Sequence, residues 1–219
     1  MNRVKEIITE KEKLYEWCDD VDVRRDSKLV QEIVLALKAT MREKDLVCLA
    51  APQIGYTRRI FCLRFGDNDY RTFINPIIDN NVDFTMSRET CVSLPDRTFI
   101  MPRFGKIMVY FTTPLGKAEG ATFVGRAAFE FQKALDMLNG LLIDDIGLEI
   151  DADFDNASEE ERAEILQMYA ESLDIRQKDL RTEIDSNKEL SDIEDAARFI
   201  HSVRIGETTQ VTGSESESK

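Results

Sequence analysis

The chain has 219 residues, 42% of them hydrophobic and 32% charged, with a formal net charge of −13. That mix suits one folded core with an appendage, and no run of 18 apolar residues is present to span a membrane. A chain this acidic repels phosphate, which argues against nucleic acid as a partner.

The opening MNRVKEIITEKEKLYEW is charged throughout and lacks the apolar stretch of a signal peptide, so a cytoplasmic location is expected. Cys18, Cys48, Cys62 and Cys91 show no paired spacing and are expected to be reduced thiols. Residues 27–44 carry Leu29, Val30, Ile33, Val34, Leu37 and Met41 at helical spacing. The run LVCLAAPQIG follows, then a β-rich RRIFCLRF stopped by the turn cluster GDND. RTFINPII reads as a strand whose Pro76 calls for an edge or strand end. VDFTMSRETCVSLP and KIMVYFTTPLG are further strands. From about Thr122 to Asn139 the period is helical, with Gly140 placed just past the helix end. Helix, several strands, helix is the order of an α+β domain.

After Asp151 the character changes. Residues 151–219 hold 19 acidic and 8 basic residues, a net of −11 against −2 for residues 1–150. Ser158 and Glu161 fit a capping box that opens a long polar helix carrying Ile165, Leu166, Tyr169, Leu173, Leu180 and Ile184. SNKELS breaks it, and a shorter helix with His201 runs from about Ser191 to Val203; this lone histidine reads as a surface or packing residue. The expected division is a domain over 1–150, an acidic helical extension over 151–206 and a polar tail over 207–219.

Four segments together resemble the peptide deformylase family. LAAPQIG (Leu49 to Gly55) is similar to the end of its G-x-G-L-A-A-x-Q-x-G motif, and Ile74 to Ile77 to the strand that follows. ETCVSLP (Glu89 to Pro95) is similar to E-G-C-L-S, with Pro102 and Arg103 at a later P-R. FQKALDMLNGLLID (Phe131 to Asp144) tracks F-Q-H-E-x-D-H-L-N-G-x-L-F-x-D. The resemblance covers residues 4–147 and implies a fold of mostly antiparallel strands around a central helix, here with a helical C-terminal extension.

In that family a Cys and two His at i and i+4 hold Fe²⁺ or Zn²⁺, and a Glu beside the first His moves protons. The motif-one Gln and a backbone N–H after the Cys stabilise the oxyanion. By resemblance Gln53, Glu89, Cys91 and the backbone of Val92 occupy matching places. Lys133 and Met137 stand where the two His belong, and Ala134 where the Glu belongs, in the run Lys133-Ala134-Leu135-Asp136-Met137. His201 is the one histidine of the chain, so no register shift restores H-E-x-x-H. Leu46, Cys48 and Thr90 replace family glycines, and Arg97 falls one place before the family's Arg, at Thr98; an altered or filled groove is expected.

The residues therefore set up an expectation of no metal, no cofactor and no catalytic residues, with Gln53, Glu89, Cys91, Val92, Lys133, Ala134 and Met137 as a vestigial site. Lys133 either pairs with Cys91 or Glu89 or snorkels to solvent beside an inert thiol. A substitute metal set of Cys48, Cys91 and Asp136 has no spacing in its favour. The expected function is that of a catalytically inactive, structural component of a larger assembly, docking on protein partners through 151–219. A phage virion or its assembly machinery is one such setting. The alternatives are a non-catalytic binder of peptide N-termini and a rewired hydrolase using Cys91.

Overall fold

The computed structural model describes residues 3–186, with side-chain environments as far as Leu173. The expected helix over Ser191–Val203 with His201, the break before it and the tail over 207–219 lie outside the described residues. The chain divides into two compact units, Met1–Leu166 and Gln167–Lys219.

The first unit is an antiparallel sheet packed on two helices. Helix α1 (Ser27–Glu43) is followed by β1 (Cys48–Ala50) and a 3-10 turn (Ala51–Ile54). Then come β2 (Ile60–Arg64), β3 (Tyr70–Cys91), β4 (Leu94–Thr112) and β5 (Ala118–Val124). Helix α2 (Arg126–Leu138), the short α3 (Ile143–Ile146) and β6 (Leu148–Ile150) complete the sheet region. Helices α4 (Ala152–Asn156) and α5 (Glu159–Ser186) follow, α5 carrying the chain into the second unit. Strands β1 to β5 lie side by side in chain order, and β6 adds to the Thr98–Ile100 stretch of β4. The α+β, deformylase-like architecture expected from the sequence is the one observed.

The uninterrupted apolar run of β2 follows from cover on both of its faces. Ile60 and Cys62 join Ile33, Leu37 and Met41 of α1 in one core cluster. Phe61 and Leu63 join the other cluster with Phe73, Phe123 and Phe131, the last from α2. Phe131 meets Phe61 edge-on at 4.9 Å and Phe73 at 5.3 Å between ring centroids. Burying these rings and aliphatic chains contributes about 1.5–3 kcal/mol per side chain before the entropy cost of ordering is counted.

Pro76 sits where β3 changes partner. Pairing with β2 ends at Ile60–Ile74, pairing with β4 begins at Ile74–Thr112, and the ladder shifts before it resumes at Ile77–Tyr110. A residue with no N–H is tolerated at such an irregularity. Asn75 beside it takes a left-handed φ of 47° and anchors the bend by exchanging two 3.0 Å side-chain hydrogen bonds with the Val21 backbone.

The helix expected from Thr122 begins later. Thr122, Phe123 and Val124 finish β5, paired with Met108, Ile107 and Lys106, and Gly125 at φ 56° turns the chain into α2. Phe123 and Phe131 converge on the same core with centroids 5.4 Å apart, which mimics a helical repeat across the turn. At the other end, Gly140 takes the left-handed position, φ 65°, after the helix. The Ser158–Glu161 capping box is formed in both directions, at 2.8 and 3.2 Å. Among the described residues, no helix is long and apolar enough to cross a membrane.

Candidate functional site

Three segments meet around one open cavity of about 550 Å³. The turn after β1 supplies Gln53, the tip of the β3–β4 hairpin supplies Cys91 and Leu94, and α2 supplies Glu130, Lys133 and Met137. Leu46 and Cys48 line this cavity, so the substitutions that lead one to expect a filled groove instead form its wall.

Gln53 is buried and fixed at both ends of its amide. Its Oε1 accepts from the Ala50 N–H at 2.9 Å, and its Nε2 donates to Ser93 Oγ at 3.1 Å and to Cys91 Sγ at 3.6 Å. The Cys91 thiol is buried, and burial pushes its pKa up. The backbone N–H groups of Ser93 and Leu94 and the charge of Lys133 pull the other way, less strongly. Cys48 behaves alike: burial holds its thiol well above the ordinary range, and its S–H donates to the Glu130 carbonyl at 3.6 Å. Both are thiols, not thiolates, at neutral pH, so neither has the activation a nucleophilic cysteine needs. All four cysteines are free.

Lys133 pairs with neither Cys91 nor Glu89. Its ammonium lies 2.7 Å from a Glu130 carboxylate oxygen, one turn earlier on α2, and donates to the Thr90 carbonyl at 3.2 Å. Burial pulls the Lys133 pKa down, but Glu130, with smaller contributions from Cys48 and Glu89, leaves it above its ordinary value. Glu130 went unread in the sequence, although the i,i+3 spacing to Lys133 is the spacing at which helix side chains pair.

Glu89 belongs to a second ion cluster. Arg103 of β4 grips both Glu89 oxygens, at 2.7 and 3.0 Å, and reaches Asp136 of α2 at 2.6 Å. The Arg103 and Glu89 side chains are each 5% exposed, so this fork ties the hairpin to the helix out of contact with water. Burial alone would lower the Arg103 pKa, but its two carboxylate partners raise it.

A Cys–His–His metal centre does not fit these side chains. An ammonium takes one ligand position, Met137 is buried at the other, and Ala134 has no group to move a proton. Asp136 is committed to Arg103, which removes the substitute set with Cys48 and Cys91. Among the described residues, no three His, Cys, Asp or Glu side chains are grouped to hold a metal ion.

A sequence model of the family "Polypeptide deformylase" matches residues 4–148. The chain belongs to the peptide deformylase family. It is similar to the peptide deformylase of Thermotoga petrophila, 32% identical over 106 residues, which cover 48% of this chain and 65% of that protein. The chain thus spans a little under two thirds of that deformylase. Among solved structures, a Met-Ala-Ser-bound deformylase from Acinetobacter baumannii superimposes with a TM-score of 0.60 and 25% identity, covering 65% of this chain and 97% of that one. The deformylase of Vibrio parahaemolyticus bacteriophage VP16T, in complex with actinonin, superimposes with a TM-score of 0.58 and 29% identity, covering 64% and 100%.

These relationships overturn the expectation of a non-enzymatic structural component. The family match runs from before α1 through β1 to β5 and α2, and the deformylases it resembles are enzymes. Three substitutions on α2 remove one ligand geometry; they do not supply a structural role, and the cavity beside them remains open. Nothing in the fold or in these relatives supports a virion component.

Proposed function

We propose that the cavity of this deformylase-family chain receives the N-terminal residue of a peptide. The observation that carries this reading is the open space of about 550 Å³ kept between the Gln53 turn, the Cys91–Leu94 hairpin and α2. Leu46, Val47, Leu94 and Met137 give it an apolar side suited to an unbranched side chain such as methionine, and Gln53 and Lys133 give it a polar end. A related deformylase has been captured with Met-Ala-Ser bound, which makes that tripeptide and its N-formyl form the natural probes.

Titration of the protein with N-formyl-Met-Ala-Ser by calorimetry tests the reading, with formate release measured in the same samples. Saturable binding below about 1 mM, a free energy of roughly −4 kcal/mol or better, is the expected result. No heat of binding at that concentration, with the protein folded by circular dichroism, overturns it. The formate measurement reports whether the bound peptide is also turned over.

A further inference from the structure

An ammonium has three N–H donors. At Lys133 one side of the group meets Glu130 and another donates to the Thr90 carbonyl. Beyond the Glu130 ion pair and the Thr90 carbonyl, no acceptor for the ammonium is found among the described residues, and Lys133 itself lines the cavity. Gln53 cannot serve a ligand as readily, since Ala50, Ser93 and Cys91 already engage both ends of its amide. Glu130 also faces a second cation, with Arg126 3.9 Å away, so two positive groups share one carboxylate at this end of the cavity. The other charges on the wall are spent or exposed. Asp45 pairs with Arg64, Arg97 with Asp144 and Glu149, and Asp96 lies exposed on the rim, where solvent screens it.

We propose that Lys133 is the resident cation of this site and that its remaining N–H takes the carbonyl oxygen of an N-acylated peptide end directly, with no divalent ion between them. The proposal rests on the reading of the cavity as a peptide N-terminus site, and adds to it a ligand class. A formylated end brings a neutral acceptor to the ammonium. A free amino terminus brings a second ammonium beside the one already on the cavity wall, and like charges repel. The site therefore selects acylated over free peptide ends through charge, where a metal centre would select through coordination.

The experiment compares N-formyl-Met-Ala-Ser with Met-Ala-Ser by calorimetry on the full chain, after dialysis against EDTA and again with Ni²⁺ or Zn²⁺ added. The formyl peptide is expected to bind at least about tenfold tighter, with the same Kd in both conditions. The double variant Lys133→Met/Glu130→Gln, which removes both charges together, is expected to bind the two peptides alike. Lys133→Arg keeps the cation and is expected to keep the preference, which separates lost charge from lost folding. Formyl-peptide binding that disappears in EDTA and returns with metal overturns this proposal and leaves the peptide reading intact. A preference unchanged in the double variant does the same. Binding of neither peptide to the wild-type chain defeats the peptide reading and this one together.

Discussion

Helix α2 carries two ion clusters that differ in what they leave open. Asp136 joins the Arg103–Glu89 fork, where three charged groups are mutually committed behind the hairpin. Lys133 and Glu130 form the other pair, at the cavity wall, where the lysine keeps a donor to spare. The first arrangement fixes the distance between β3, β4 and α2. The second sits on the frame so fixed and faces outward. A buried charge with every partner supplied serves position, whereas one with a vacant donor is open to a further acceptor.

Substitutions can break this contrast. Arg103→Leu strands Glu89 and should cost about 3–5 kcal/mol in urea unfolding, because an uncompensated buried carboxylate remains. If the loss is below about 1 kcal/mol, the fork is not the anchor described. Phe131→Ala tests the neighbouring core on the same helix and should cost a comparable 3–5 kcal/mol through the cavity left among Phe61, Phe73 and Phe123. Lys133→Met should cost less, about 1–2 kcal/mol, because water in the open cavity can reach the abandoned Glu130. A loss as large as that of Arg103→Leu would mean that the two clusters are equivalent supports. The exposed Arg88–Asp155 pair, bidentate at 2.7 and 2.8 Å, provides the floor of the scale, and Arg88→Ala should leave the Tm unchanged within error.

Alkaline titration gives a further test. Burial raises the Cys18 thiol from 9.0 to about 12 and the Cys62 thiol to about 11. A group whose pKa is raised on folding lends stability that is complete below its unfolded value and is lost as pH climbs through the folded one. Stability should therefore be flat to about pH 9 and fall between 9 and 12, with Cys62→Ala flattening the lower part of that fall. A decline that begins below pH 8 would show that thiols are not its source.

Much of the frame was legible because it depends on periodicity and turn chemistry. The stripe from Leu29 to Met41, the GDND stop, Gly140 and the Ser158–Glu161 box each act locally, and each formed as expected. Strand β5 escaped because KAEGATFV is polar and short of β-branched residues; pairing with β4 creates it, not propensity. The three residues of β6 likewise exist only as an addition to β4. The ligand positions on α2 could be read from identity alone, but the partner of Lys133 could not. Sequence placed Cys91 and Glu89 nearby through the family resemblance, and it took the fold to show Arg103 claiming one and burial neutralising the other. The reading of a structural component failed for a related reason: an altered helix was taken as a statement about the whole cavity.

The side-by-side order of β1 to β5 has a consequence in time. Each strand meets the next one along the chain, so the sheet can zip through nearest-neighbour hairpins with little loop to close. Helix α2 must then swing back across it, and its end is fastened to the N-terminal segment where the Cys18 N–H meets the Leu138 carbonyl at 3.0 Å. Trp17, the single tryptophan, stands beside that clasp with Arg59 over its ring. In refolding, tryptophan fluorescence should lag behind the circular dichroism of the sheet, marking the moment when α2 closes on the β3–β4 hairpin, Lys133 meets the Thr90 carbonyl and the pocket comes into existence.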